Sequence, residues 1–198
     1  MNKIVLASDN PGKIREFNEL LAPRGIQVVA QGSLGVSPAD EPFGTFLENC
    51  LAKARNAARQ TGLPALADDS GICVDALDGA PGVHSARFAG EPKSDRRNNE
   101  LLISRLEGRG NRSAHYVCVL VALKKPDDPD PLVASGCWAG EIVDEPRGSN
   151  GFGYDPYFFL KSEGKTAAEL SDEEKNARSH RGQAMRMMSA LMKERWGW

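Results

Sequence analysis

Ile4-Val5-Leu6-Ala7-Ser8-Asp9-Asn10-Pro11-Gly12-Lys13 is the stretch on which the fold turns. Four consecutive apolar residues fit a buried strand, and after a short polar turn Ile14, Phe17 and Leu21 recur at helical spacing. A strand handing over directly to a helix is the building unit of α/β proteins. The turn itself has two readings. A helix N-terminus offers unpaired N–H groups and the positive end of its dipole, so Ser8, Asn10 and Lys13 there make a cradle for a phosphate. Equally, Asn10 fits an ordinary N-cap, with Pro11 at the first helical position and Lys13 in water. The turn matches neither G-x-x-x-x-G-K-[ST] nor G-x-G-x-x-G.

Working outward, Leu47, Leu51, Ala54 and Ala58 predict a second helix, opened by a capping box at Thr45-Phe46-Leu47-Glu48. A third begins near Ser171, where Ser-Asp-Glu-Glu fits another capping box. It breaks at Gly182 and resumes through Met185, Met188 and Met192, a stripe that reads as core filler. Strands are expected over residues 3–7, 27–30, 65–67, 114–123, 132–143 and 156–160. The two long ones flank the Pro/Asp-rich segment 124–131, a loop joining antiparallel partners. Early strands alternate with helices and later ones form hairpins, which predicts an α/β fold with a mixed central sheet flanked by helices. The 198 residues suit one domain, 1–198.

Composition narrows the partners. A formal charge of −2 gives no electrostatic basis for binding nucleic acid, and Arg96-Arg97 beside Asp95 and Glu100 reads as solvated surface. The four cysteines, at 50, 73, 118 and 137, form no C-x-x-C pair and read as small buried thiols in a reducing compartment. Residues 1–7 are too short for a secretion signal, and the apolar run 117–123 falls far below the ~20 residues that span a bilayer. A cytoplasmic protein with no membrane partner is expected.

Four segments carry possible chemistry. Asp68-Asp69-Ser70-Gly71 follows the short strand 65–67, at the strand end where α/β sheets collect ligands. Neighbouring strand residues face opposite ways, so one Asp would enter a site and the other support it. A hard cation such as Mg²⁺ would relieve the repulsion between them; the alternative is an Asx-rich turn. Asp40-Glu41 supplies further carboxylates. Asn49, Lys53 and Asn56 share one face of the second helix, and only Lys53 has the reach and charge for a phosphate. In Gly148-Ser149-Asn150-Gly151-Phe152-Gly153-Tyr154-Asp155-Pro156, the glycines allow close backbone approach. Phe152 or Tyr154 could stack on a flat ring or pack inward, and Asp155 could accept from a sugar hydroxyl or ring N–H. Lys175 and Ser179-His180-Arg181-Gly182 present N–H donors at a helix break. No Ser-His-Asp set is evident, and the cysteines have no neighbouring base.

Together these residues resemble the inosine/xanthosine triphosphate pyrophosphatase family, hydrolases of non-standard purine nucleotides. The likeness runs from Ser8-x-Asn10-x-x-Lys13 through Thr45-Phe46-x-Glu48-Asn49 with Lys53, then Asp68-Asp69-Ser70-Gly71 and Gly79-Ala80-Pro81-Gly82-x-x-Ser85-Ala86-Arg87. Gly151-Phe152-Gly153-Tyr154-Asp155-Pro156 and Ser179-His180-Arg181-Gly182 complete it.

The resemblance implies cleavage of a nucleoside triphosphate between its α and β phosphates, two lobes with a cleft between them, and a homodimer. It implies that Ser8, Asn10 and Lys13 hold the phosphates, with Asp9, Pro11 and Gly12 completing their turn and Lys53 and Lys175 assisting. Glu41 and Asp69 would serve Mg²⁺, and Asp69 would also take the proton of the attacking water. Ser70 would contact substrate. Phe152, Gly153, Tyr154 and Asp155, with His180 and Arg181, would surround the base. Three positions depart from the pattern: Asp9 where a small residue is usual, Cys50 for Ala, and Val83-His84 for an aliphatic-Tyr pair. Two other functions fit parts of the pattern, a pyrophosphatase for other modified or standard triphosphates and a non-catalytic nucleotide binder.

Overall fold

The computed structural model describes residues 2–198. Seven strands form one sheet: β1 (Asn2–Leu6), β2 (Ile26–Ala30), β3 (Ala65–Val74), β4 (Ser113–Leu123), β5 (Leu132–Ile142), β6 (Phe158–Leu160) and β7 (Lys165–Thr166). Their order is β2-β1-β3-β4-β5-β6-β7. β1 runs parallel to β2 and β3, whereas β6 is antiparallel to β5 and β7, so the sheet is mixed as the sequence predicts. The helices are α1 (Pro11–Leu21), α2 (Phe46–Thr61), α3 (Asp95–Leu106), α4 (Asp172–Arg178) and α5 (His180–Leu191). β3 and β4 are buried on both faces over most of their length, which suits the unbroken apolar run 117–123; β5 alternates buried and exposed residues.

The chain divides into two compact units. One comprises the chain up to Asp69, Cys118–Ser135 and Ala184–Trp198; the other comprises Ser70–Val117 and Gly136–Gln183. Each has its own core. In the first, Ile4 and Leu6 of β1 meet Phe17 and Leu21 of α1, Leu120 of β4, and Met185, Met188 and Met192. The methionine stripe is therefore core filler, and truncating Phe17 to Ala would cost about 3–5 kcal/mol. In the second, Ile72 and Val74 of β3 pack with Leu102 and Leu106 of α3, Tyr116 of β4, Trp138 of β5, Tyr154 and Phe158.

Several expectations need correction. β3 continues to Val74, so Asp68-Asp69-Ser70-Gly71 lies inside a strand and is neither a strand end nor an Asx turn. The helix break falls at Ser179, whose backbone is extended. Its N–H closes α4 on the Lys175 carbonyl, and its hydroxyl accepts from the Gly182 N–H to open α5. Gly182 is thus helical. The segment expected as a strand over 156–160 starts with a 3₁₀ turn, Asp155–Tyr157, because Pro156 has no N–H to give a ladder. On α2 the buried stripe is Cys50, Ala54, Ala57 and Ala58 with Asn49, while Leu47 is 44% exposed. α3 and β7 were not anticipated. Cys50 and Cys118 are buried as expected, but Cys137 is exposed; none of the four forms a disulfide. Among the described residues no helix is long and apolar enough to cross a membrane.

Candidate active site

In the first unit, the turn after β1 is built by its own side chains. Asn10 is the N-cap of α1: its Oδ1 accepts from the N–H groups of Gly12 and Lys13, at 2.9 and 3.3 Å, and Pro11 occupies the first turn. The capping half of the two sequence readings is therefore realised. Ser8 Oγ accepts from the Asn10 N–H at 3.2 Å. Asp9 turns to the segment after β2, where its carboxylate accepts from the Gly32 N–H at 2.7 Å and from Gln31 Nε2 at 3.1 Å. Those bonds fix the negative charge of Asp9 on the segment after β2. Lys13 leaves water for Asp68, its Nζ 2.7 Å from a carboxylate that is 1% exposed.

Asp68 and Asp69, adjacent on β3, each take a lysine. Lys53 of α2 reaches 3.1 Å to Asp69 Oδ1 and 3.2 Å to Glu41 Oε1, standing between the two carboxylates. Ser8, Asp9, Lys13, Glu41, Lys53 and Asp68 line a concavity of about 190 Å³. Glu41 lies on a loop without regular structure, and one face of α2 stitches that loop down. Asn49 grips Phe43 at both ends of its backbone, accepting from the N–H at 3.0 Å and donating to the carbonyl at 3.1 Å. At the other end Asn56 and Gln60 donate to the Ser37 carbonyl, and Gln60 accepts from the Ser37 N–H. This polar face of α2 thus ties down both ends of the segment that carries Glu41.

Burial and neighbouring charge together set the titration of this cluster. Burial pushes the Asp69 carboxyl up; Lys53 pulls it back, but with Glu41 and Asp68 close by the net shift is upward. Burial works against the charged form of Lys53, and the carboxylates of Asp69, Asp68 and Glu41 outweigh it, so its ammonium is held above the usual lysine range. Asp69 Oδ2 is buried and has no hydrogen-bond partner. Cys50 is inert by contrast: burial, reinforced by Asp68, raises its thiol far above the ordinary range.

In the second unit, the loop 148–155 is held from several sides. Phe152 is the aromatic that faces outward, 62% exposed, with Lys175 Nζ 4.9 Å and Arg181 Cζ 5.9 Å from its ring centroid. Tyr154 packs inward, 4% exposed, and its hydroxyl donates to the Ser85 carbonyl at 2.7 Å. Gly153 is clamped by two residues of α3, its N–H donating to Asp95 at 2.7 Å and its carbonyl accepting from Asn99 at 2.8 Å. Asp155 is the hub. Oδ2 accepts from the Phe152 N–H at 2.9 Å and from Lys175 Nζ at 2.5 Å, and Oδ1 accepts from the Tyr116 hydroxyl at 3.2 Å. Gly151 has φ +78°, and a Cβ there would run into the Asp155 carboxylate. Glycine is thus needed for the loop's own closure.

His180 and Arg181 open α5. The His180 imidazole stacks on Tyr116, with centroids 4.7 Å apart and planes 8° from parallel, and Arg181 Nη2 donates to Ser70 Oγ at 3.3 Å. Gly136 of β5 lets this helix start approach, because a Cβ there would strike the His180 carbonyl.

The predicted residues therefore fall into two groups. Ser8, Asp9, Asn10, Pro11, Gly12, Lys13, Glu41, Lys53 and Asp69 belong to the first unit. Ser70, Phe152, Gly153, Tyr154, Asp155, Lys175, His180 and Arg181 belong to the second. Lys175, grouped with the phosphates by resemblance, pairs with Asp155. The sequence reading picked out Asn49 and Asn56 but missed the other supporting residues: Gln60 on α2, Asp95 and Asn99 on α3 in this role, and Tyr116. The i, i+4 pairing of Asp95 with Asn99 on a helix was the one available signal.

The model of the Ham1 family matches residues 4–191. Among curated relatives, a dITP/XTP pyrophosphatase of Ralstonia nicotianae is 62% identical over 188 residues, covering 93% of this chain and 94% of its own. One of Nitrosomonas europaea is 60% identical over 194 residues, covering 98% and 96%. Among solved structures, a HAM1 protein from Coxiella burnetii superposes with a TM-score of 0.95 at 48% identity, covering 98% of this chain and 100% of that one.

Proposed function

The chain belongs to the Ham1 family, and from that premise we propose that it hydrolyses non-standard purine nucleoside triphosphates, dITP, ITP and XTP, to the nucleoside monophosphate and pyrophosphate. The observation that carries this reading is the cluster of the first unit, in which Lys53 stands between Glu41 and Asp69 while Lys13 meets Asp68. A protein that only bound nucleotides would have no use for a buried carboxyl that is held by a lysine at one oxygen and left unpartnered at the other.

A divalent cation fits these residues. Among the described residues no three His, Cys, Asp or Glu side chains are grouped to hold a metal by themselves. Mg²⁺, however, is commonly held by one or two carboxylates together with substrate phosphates and water. Three acids against two lysines leave negative charge in excess, and the unpartnered Oδ2 of Asp69 has a lone pair to give. Glu41 and Asp69 would hold the ion. When bound, Mg²⁺ supplies charge neutralisation on the phosphates during transfer.

The chain's own groups do the rest. Lys13, with the turn of Ser8 and Asn10, binds the phosphates. Asp69 accepts the proton of the water that attacks the α-phosphorus, and Lys53 holds that carboxylate in place and offsets charge gathering on the phosphoryl oxygens. In the second unit Phe152 offers a face for the base. His180 and Arg181 donate toward the 6-oxo group, where adenine carries an amino donor. A site built on such a bond rejects the wrong partner by as much as ~10⁴–10⁵. GTP shares the oxo group, so its exclusion rests on the fit of its 2-amino group.

The protein works in the cytoplasm, where its four cysteines, none in a disulfide, stay reduced, and as a homodimer, in keeping with the family likeness. Incubation with Mg²⁺ and a panel of dITP, ITP, XTP, GTP, ATP and dUTP tests the activity. Pyrophosphate from the first three, with little turnover of the others, is expected. Release of orthophosphate, or equal turnover of ATP, would overturn it.

A further inference from the structure

Tyr116 sits near the start of β4, buried in the core of the second unit, where a phenylalanine would fill the same space. Burying a phenol hydroxyl is unfavourable unless it is bonded, so the extra oxygen asks for a reason. Its partner is Oδ1 of Asp155, at 3.2 Å. Burial, with Asp155 beside it, raises the hydroxyl far above the usual phenol range, so it stays protonated and is the donor. The ring has a second task. It lies against Phe158 at 4.6 Å and stacks on the His180 imidazole at 4.7 Å with the planes 8° apart. The Phe158 contact braces the ring, and Trp138 lies 6.5 Å from the same imidazole. The other hydrogen bonds of the Asp155 carboxylate come from the Phe152 N–H and from Lys175.

We propose that Tyr116 is a specificity-determining positioning residue: its ring sets the plane of His180 and its hydroxyl sets the carboxylate of Asp155. One side chain on a rigid strand thereby aligns two groups that surround the base. This rests on the reading of His180 and Asp155 as base-facing groups. Displacing such a group by ~1 Å can cost about 100-fold in rate, so a ring that fixes an imidazole plane is worth a measurable share of the selectivity.

The test uses the full chain with Tyr116→Phe, Tyr116→Leu, His180→Ala and the double variant Tyr116→Leu/His180→Ala. The chain has 3 histidines, so the imidazole protons are readily resolved by NMR. In wild type and Tyr116→Phe the ring current should move the His180 ring protons upfield, and Tyr116→Leu should lose that shift. Tyr116→Leu should lower the ratio of kcat/KM for ITP over ATP by about tenfold or more, and it should add nothing in the His180→Ala background. Tyr116→Phe should keep that ratio within about threefold while raising KM for ITP several-fold at nearly constant kcat. Unchanged discrimination in Tyr116→Leu, or an equal loss with and without His180, would overturn the proposal. Should Tyr116→Leu not fold, an unchanged KM in Tyr116→Phe would overturn it as well. If His180→Ala alone leaves discrimination intact, the base reading itself fails, a result visible without any Tyr116 variant.

Discussion

Lys53 places its ammonium 3.1 Å from Asp69 Oδ1, and both side chains are drawn mostly out of water. In the folded chain Asp69 titrates above its ordinary 3.8, since burial outweighs the pull of the lysine. A group whose folded pKa is raised stabilises the fold fully below its unfolded pKa and loses that contribution as pH rises through the folded value. Ionised Asp69 is thus unfavourable for stability at neutral pH, yet it is the form that the proposed reaction uses.

Asp69→Asn should therefore slow dITP hydrolysis by about 10²–10⁴ while melting at or above wild type near pH ~7 in the presence of a chelator. The margin over wild type should shrink as pH falls toward ~4, because wild-type Asp69 then carries its proton. A variant that melts well below wild type near neutrality would contradict the assignment.

Removing the lysine exposes the same cluster from the other side. Lys53→Met leaves Asp69, Glu41 and Asp68 facing one another without its ammonium. The expected cost is about 1–3 kcal/mol in chemical denaturation, together with loss of activity. Lys53→Met/Asp69→Asn should recover much of the stability and none of the turnover. Activity returning with stability would mean that the pair only supports the fold.

Asn49 tests whether the Glu41 loop is a working part. Asn49→Ala frees Phe43 at both backbone ends, costing about 1–2 kcal/mol. It should raise the Mg²⁺ concentration giving half-maximal rate several-fold. Asn56→Ala should do less, because Gln60 still holds Ser37. An equal effect of the two variants on the Mg²⁺ requirement would show that the grip on Phe43 does not place Glu41.

At the proposed base end, Phe152 is exposed enough that Phe152→Ala should change stability by under about 0.5 kcal/mol. Its KM for dITP should rise by about 5-fold to 100-fold, the worth of one stacked base. Arg181→Ala should lose discrimination against ATP more than it loses stability. Steady-state rates for dITP, ITP and ATP, with melting curves, check both variants.

The fold was legible where apolar residues carry the period. α1 shows itself through Ile14, Phe17 and Leu21, and β4 through an unbroken apolar run. α3 was invisible because its buried face includes Asn98 and Asn99, which bind loop backbone at Ala89, Ser85, Ala86 and Gly153. Hydrophobic spacing cannot register a helix that packs through amides. Asp68 and Asp69 hid the true length of β3, since two carboxylates inside a strand are tolerable only once Lys13 and Lys53 arrive from distant segments. The loop 148–155 was legible as a loop, but its order was not: Asp95, Asn99 and Tyr116 reach it from 39 to 58 residues away, a separation at which no local periodicity signals a contact.

Hydrolysis of dITP in ¹⁸O-enriched water, with Mg²⁺ and ³¹P detection of both products, tests the central claim most directly. Label found in the deoxyinosine monophosphate, at a rate that collapses in Asp69→Asn, is the predicted result. Label found in the pyrophosphate, or undiminished turnover without the Asp69 carboxylate, would contradict attack at the α-phosphorus by water that Asp69 deprotonates.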